Sequence, residues 1–115
     1  RVACLGLAFK PNIDDFRESP AVEVAAALAR RFGPQIDIVE PYARGLPMEF
    51  AGTGARLIDL DSALSECELL IVLVDHDLFK SIPLEERADK IVYDTRGLWL
   101  DQPSGGHSNR LHRAA

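Results

Sequence analysis

The stretch VACLGLAFKPNIDDFRESPAVEVAAALARRF, residues 2–32, joins a short apolar run to a helix through a long, charged loop. Residues 2–7 are continuously apolar, which is typical of a β-strand that is covered on both faces. Ser19 predicts a helix start with its hydroxyl as the N-cap, and Pro20 suits the first helical position. Gly33, followed by a proline, predicts the helix end.

The rest of the chain alternates in the same way. Further strands are predicted at 36–39, 56–58, 69–74 and 91–93. Residues 42–55 are predicted to be a loop with one helical turn, and a brief helix capped by Asp61 precedes the strand at 69–74. An irregular helix is predicted at 76–90, broken at Pro83. Residues 69–74 (LLIVLV) are the most apolar and predict the central strand. Alternating strands and helices predict an α/β, Rossmann-like three-layer domain with a five-stranded parallel sheet in the order 3-2-1-4-5.

Length and composition limit the function classes. At 115 residues the chain suits one domain, predicted at 1–100 with a flexible tail at 101–115. A net charge of −5 argues against a nucleic-acid partner. No apolar run is long enough to span a membrane, and two cysteines without metal-binding spacing favour a reducing cytoplasm over a zinc site or disulfides. Because the chain starts without methionine and directly as a strand, we expect it to be a piece of a longer protein.

The candidate site lies beyond the carboxyl ends of the strands, where the strand order reverses. Phe9, Lys10 and Arg17 follow the first strand, and Arg96 follows the last. With the N-terminus of the helix that starts at Ser19, these cations suit a phosphorylated ligand. The alternative is that they pair with neighbouring carboxylates, of which Asp14, Asp15, Glu18 and Asp94 are available.

Two other residues have alternative interpretations, and a third has one. His76 is either a loop residue that hydrogen-bonds backbone or a general base. Glu40 is either a ribose-binding acid or a turn former before a proline. Cys4 is predicted in the core. The dinucleotide fingerprint GxGxxG fails, because no further glycine stands among the residues that follow Gly6, and Phe9 would block the close approach of the backbone to a pyrophosphate.

Four ordered blocks carry a family resemblance: GLAFKPNIDDFRESPA at 6–21, VEP at 39–41, LVDHDLFK at 73–80 and VYDTRGLW at 92–99. Over residues 1–100 the chain resembles the C-terminal, UDP-binding domain of the UDP-glucose/GDP-mannose dehydrogenase family. The last two blocks are most similar to its UDP-N-acetyl-D-mannosamine dehydrogenase branch.

The resemblance implies a parent enzyme that oxidises the C6 hydroxyl of a UDP-sugar to a carboxylate in two steps. NAD, the NAD-binding and middle domains and the catalytic cysteine would belong to the parent, a homodimer or larger, outside this chain. Neither Cys4 nor Cys67 matches that cysteine, so no catalytic, cofactor or metal residue is expected here. Phe9, Lys10 and Arg96 match family positions that contact the UDP portion, and Arg17 matches a position that shapes the loop.

Two alternatives stay open. The parent could act on UDP-glucose, since UDP-glucose enzymes share the GLAFKPN-type opening. The chain could also be a structural module without ligand affinity of its own.

Overall fold

The computed structural model describes residues 1–99, so the predicted tail at 101–115 lies outside the described residues. The elements are β1 (Val2–Leu5), α1 (Pro20–Phe32), a 3-10 turn (Gly33–Gln35), β2 (Ile36–Val39), a second 3-10 turn (Met48–Phe50), β3 (Arg56–Leu57), α2 (Leu60–Glu66), β4 (Leu69–Val72), α3 (Asp77–Lys80), α4 (Leu84–Arg87) and β5 (Ile91–Asp94). Strands and helices alternate as predicted. None of these helices is long and apolar enough to cross a membrane.

All five strands are parallel, in the order β3-β2-β1-β4-β5, which confirms the predicted fold class and strand order. The central strand is β1, in which Val2 pairs with Ile36 on one side and Leu69 on the other. The prediction that β4 is central was wrong. Both strands are interior and apolar, so hydropathy alone does not distinguish the central strand from its neighbour.

Helices cover both faces of the sheet. On β1, Cys4 contributes to the core beneath α1, while Ala3 and Leu5 contribute to the core on the opposite face. The buried stripe of α1 is made of small side chains, which let the helix lie close to the sheet: Ala21, Val22, Ala25, Ala26 and Ala29. Burial raises the pKa of the Cys4 thiol to about 12, so this cysteine belongs to the core, as predicted, and is no nucleophile.

The cap of α2 is Asp59, not Asp61 as predicted. The Asp59 carboxylate accepts a hydrogen bond from the amide of Ser62 at 2.8 Å, and the helix begins at Leu60. Both aspartates have a following residue suited to a helix, but only Asp59 has the extended backbone that an N-cap requires.

Candidate ligand-binding site

The loop after β1 leaves the sheet through a turn that only glycine fits. Gly6 has a φ of +99°, and its amide donates to the carbonyl of Val39 at 2.8 Å. A Cβ at this position would lie 2.5 Å from the Cβ of Val74, which is closer than two carbon atoms can approach. The single glycine of this loop therefore allows close contact with the chain that follows β4, and the loop continues to Phe9 and Lys10.

A cavity of about 370 Å³ lies at the carboxyl edge of the sheet. Its wall combines the loop after β1, through Phe9, with the start of α1, through Ser19, and the loop after β5, through Thr95 and Arg96. The ring of Phe9 is half exposed. The Thr95 hydroxyl donates to the carbonyl of Val72 at 2.6 Å and so is already engaged.

The guanidinium of Arg96 is held at one edge only. Its Nε donates to the carbonyl of Leu73 at 3.1 Å, and within residues 1–99 neither a carboxylate nor another acceptor pairs with its terminal nitrogens. The carboxylate of Asp94 instead accepts the backbone amides of Arg96 (3.1 Å) and Trp99 (3.3 Å). The bond from Nε therefore fixes the orientation of the Arg96 guanidinium at the cavity, and its terminal N–H groups are available to an anion.

Ser19 occupies the N-cap position of α1 without capping it through its side chain. Its backbone is extended, but its hydroxyl makes no cap hydrogen bond, contrary to the prediction. The oxygen is buried, and no described residue pairs with it. The first helical hydrogen bond runs from the Glu23 amide to the Ser19 carbonyl at 3.3 Å, so the amides of Ala21 and Val22 precede the helical ladder. The positive end of α1 thus lies at the cavity, and a buried hydroxyl that no described residue pairs with lies beside it.

Lys10 and Arg17 do not line this cavity. Lys10 is exposed, and within the described part of the chain it has no hydrogen bond or ion pair. Arg17 is also exposed and forms a two-pronged pair with Asp15, with Nε–Oδ1 at 3.0 Å and Nη2–Oδ2 at 3.1 Å. Arg96 is therefore the predicted cation that the fold brings to the helix N-terminus, while Arg17 adopts the alternative arrangement, pairing with a nearby acid.

Glu40 and His76 form a buried pair that the sequence did not reveal. Both side chains are fully buried, and His76 Nε2 lies 2.9 Å from Glu40 Oε1. Burial works to raise the pKa of Glu40, but hydrogen bonds from His76 and from the amides of Leu7 and Tyr42 outweigh it and lower that pKa. Glu40 is thus not a free ribose acceptor. It does form the predicted turn, since its side chain accepts the Tyr42 amide and its carbonyl accepts the Ala43 amide, each at 3.1 Å, and it also pairs with His76. A signal existed: each residue follows a strand that flanks β1, so both lie beside the loop after β1.

The residues described here form no cluster of three or more His, Cys, Asp and Glu that could hold a metal ion. They also do not fit a dinucleotide pyrophosphate. Ala8 and Pro11 stand where the fingerprint would have its second and third glycines, and Phe9 lies on the cavity wall. The carboxylate of Glu40 is fully engaged inside the protein.

A parallel sheet in this order defines a Rossmann-like α/β domain. A guanidinium and a helix N-terminus lie at its carboxyl edge, and the dinucleotide fingerprint does not. The chain belongs to the UDP-glucose/GDP-mannose dehydrogenase family: the model of that family's UDP binding domain matches residues 3–101.

Curated relatives agree with this membership. The chain is 48% identical over 99 residues to the UDP-N-acetyl-D-mannosamine dehydrogenase of Salmonella typhi, and 43% identical over 99 residues to that of Escherichia coli (strain K12). It is 39% identical over 98 residues to the NDP-N-acetyl-D-galactosaminuronic acid dehydrogenase of Ralstonia nicotianae. These matches cover 85–86% of this chain, and the chain spans only 23% of the length of these relatives.

Solved structures show the same fold. A UDP-glucose dehydrogenase from Pyrobaculum islandicum is similar with a TM-score of 0.63 and 33% identity, over 81% of this chain and 21% of that one. The UDP-N-acetyl-mannosamine dehydrogenase of S. aureus gives a TM-score of 0.60 at 24% identity, over 84% of this chain and 22% of that one.

Proposed function

We propose that this chain is the UDP-sugar-binding domain of an NAD-dependent UDP-N-acetyl-D-mannosamine 6-dehydrogenase. The observation that carries the proposal is the cavity lined by Ser19, at the N-terminus of α1, and by Arg96, whose terminal nitrogens have no partner among the described residues. These are the groups that bind phosphate oxygens in proteins. The 48% identity to the Salmonella typhi enzyme supports the choice of sugar nucleotide.

In this proposal the domain anchors the diphosphate and leaves the reacting sugar to the rest of the parent. Arg96 donates its terminal N–H groups to the phosphates, and Lys10 contributes a mobile charge from the neighbouring loop. Phe9 offers an apolar surface and its adjoining backbone. Arg17 shapes the same loop through Asp15. Binding energy gathered at the UDP portion would hold the C6 carbon against chemistry located elsewhere in the parent.

The redox cofactor of the parent, NAD, is assigned to a region outside this chain. The described residues do not fit it, since the loop after β1 has no glycine beyond Gly6 and places Phe9 on the cavity wall. The two cysteines are buried and free, and burial raises the pKa of Cys67 as well, to about 11, so neither suits a thiolate nucleophile. A cytoplasmic, homodimeric or larger parent, made of NAD-binding, middle and UDP-binding domains, completes the proposal.

A UDP-glucose dehydrogenase is the second candidate, favoured by the likeness to the Pyrobaculum islandicum structure. Both candidates place the same UDP portion in the same cavity. A comparison of UDP-N-acetylmannosamine with UDP-glucose as substrates of a parent that contains this domain would separate them.

The experiment is an NMR titration of the chain with UDP. The wild type is compared with Arg96→Ala, Lys10→Ala and the control Arg30→Ala, which removes an exposed arginine from the last turn of α1. We expect saturable amide shifts at residues 8–21 and 94–97, and a Kd raised about tenfold or more by Arg96→Ala, since a charge-assisted contact contributes roughly 1.5–3 kcal/mol. The control should bind as the wild type does.

Two results would contradict the proposed UDP site. If wild-type chain shows no shift at millimolar UDP, the nucleotide site is not functional in this domain, and the structural-module interpretation replaces the proposal. If Arg96→Ala and Arg30→Ala weaken binding equally, the cavity is not the site.

A further inference from the structure

The buried Glu40–His76 pair lies where the loops after β1, β2 and β4 meet. Glu40 directly follows β2, and His76 lies in the loop after β4. Both side chains are inaccessible to solvent. The ring of His76 packs against Tyr42, with centroids 5.1 Å apart, and against Phe79 at 5.4 Å. Burying two polar side chains costs free energy that their hydrogen bonds must offset. The groups bonded to Glu40 and His76 therefore indicate which chain segments the pair holds in place.

The hydrogen bonds of His76 fix its tautomer. Its Nδ1 accepts the backbone amide of Asn12 at 2.7 Å, and an accepting ring nitrogen carries no proton. The proton of the neutral ring is therefore on Nε2, which donates to Glu40 at 2.9 Å. Protonation of Nδ1 would remove the acceptor that Asn12 uses.

The same pair holds both ends of one segment of the loop after β1. At the near end, Glu40 Oε1 accepts the amides of Leu7 (2.7 Å) and Ala8 (3.1 Å). At the far end, Asn12 donates to His76 and its side-chain oxygen accepts the amide of Asp77 at 2.9 Å.

The far end also carries backbone strain. Asn12 has a φ of +63°, a left-handed conformation that is uncommon outside glycine, that asparagine tolerates better than most residues, and that its bonds to His76 and Asp77 support here. Phe9 and Lys10 lie between the two held ends.

We propose that His76, as the neutral imidazole with its proton on Nε2, is a positioning residue for ligand binding. It links Glu40 to Asn12 and so fixes the loop that carries Lys10 and places Phe9 on the wall of the ligand cavity. This role rests on the proposed function, because the ligand is taken to be the UDP portion of a sugar nucleotide.

Two substitutions separate the two hydrogen bonds of the ring. In His76→Asn the side-chain oxygen can take the place of Nδ1 and accept the Asn12 amide, but the shorter side chain does not reach Glu40. In His76→Gln the longer amide can donate to Glu40, as Nε2 does, but no acceptor stands at the Nδ1 position. Each variant removes the ring from the same buried place, so their losses of stability serve as controls for each other.

The test uses the full 115-residue chain, with UDP as the probe. The ring ¹⁵N signals of His76, the exchange rate of the Asn12 amide, unfolding in urea and the Kd for UDP are measured for each protein. We expect an unprotonated Nδ1 in the wild type and a protected Asn12 amide in the wild type and His76→Asn. In His76→Gln that protection should be lost, with UDP bound about tenfold more weakly than by His76→Asn. A purely structural role would leave the two variants with equal affinity per folded molecule.

Different results would overturn different parts of the argument for His76 and for the proposed function. A proton on Nδ1 in the wild type overturns the proposal, even if neither variant folds. Tight UDP binding by the wild type with equal Kd values for both variants overturns the role of His76 alone. Absence of UDP binding by the wild type overturns the proposed function, and with it the ligand that His76 would serve.

Discussion

The hydroxyl of Ser19 is buried, and no group in residues 1–99 pairs with it. A buried hydroxyl without a partner costs free energy of about 1–3 kcal/mol, so the folded protein gains nothing from it in the absence of a ligand. Ser19 stands at the start of α1 and lines the ligand cavity, so we expect that hydroxyl to find an anionic partner in the proposed complex.

Ser19→Ala should therefore change stability and binding in opposite directions. We expect the free energy of unfolding to stay the same or rise by up to about 1 kcal/mol, because the substitution removes an unsatisfied group and no cap hydrogen bond. The Kd for UDP should increase. Urea unfolding and a UDP titration measure the two effects.

The matched control is Asp59→Ala at the start of α2. Asp59 does cap its helix, through the Ser62 amide at 2.8 Å, so its loss should destabilise the fold by about 1 kcal/mol and leave UDP affinity unchanged. If Ser19→Ala destabilised the protein as Asp59→Ala does, the Ser19 hydroxyl would be serving the fold after all.

At the scale of the elements, one buried carboxylate links three neighbouring segments, the start of β1, β2 and β3, at the amino end of the sheet. Asp37 on β2 is fully buried and accepts hydrogen bonds from Arg1 before β1 (2.7 and 2.9 Å) and from Arg56 on β3 (3.0 and 3.2 Å). Burial works to raise its pKa, but the two guanidinium groups outweigh it and lower the pKa of Asp37 to about 2, from an ordinary value of 3.8. The short strand β3 depends on this network, since it contributes only two residues to the sheet.

The lowered pKa of Asp37 predicts an acid-dependent part of the stability. The unfolded chain takes up the proton at higher pH than the folded one, so this part is complete above about pH 4 and is lost as the pH falls to about 2. Asp37→Asn should lower the free energy of unfolding at pH 7 by on the order of 2 kcal/mol. The gap between wild type and variant should shrink between about pH 4 and about pH 2.

Urea unfolding at several pH values measures this gap. The control Asp89→Asn changes an exposed carboxylate and should show little difference from the wild type at any pH. A gap for Asp37→Asn that stayed constant down to pH 2 would mean that the lost charge is not what destabilises the variant.

At the scale of the whole molecule, the features that follow from the hydrophobic periodicity of the sequence were predictable. The apolar strands, the helix at Pro20–Phe32 and the order 3-2-1-4-5 follow from local hydropathy and the handedness of crossovers. Phe9 and Arg96 line one cavity, as expected of residues that follow strands of one parallel sheet, while their contact with a ligand stays a prediction.

What escaped prediction depends on contacts between distant segments. The Asn12–His76 hydrogen bond joins residues 64 positions apart, and Gly6 is required by a close approach of Val74. Likewise, Asp59 and Asp61 differ in backbone conformation, not in residue type. Side-chain partners of this kind are set by tertiary packing and have no period that a single sequence displays.

The two cores lie on opposite faces of one sheet and share β1, so we expect the domain to unfold in a single transition that a ligand shifts as a whole. UDP at ten times its Kd should add about 1.4 kcal/mol to the stability of the folded chain and raise Tm by about 5 °C or more. Uridine at the same concentration, without phosphates, should give a much smaller shift, and so should inorganic phosphate at equal ionic strength. Differential scanning calorimetry measures all three; equal shifts from UDP and uridine would show that the groups around Arg96 do not bind the diphosphate.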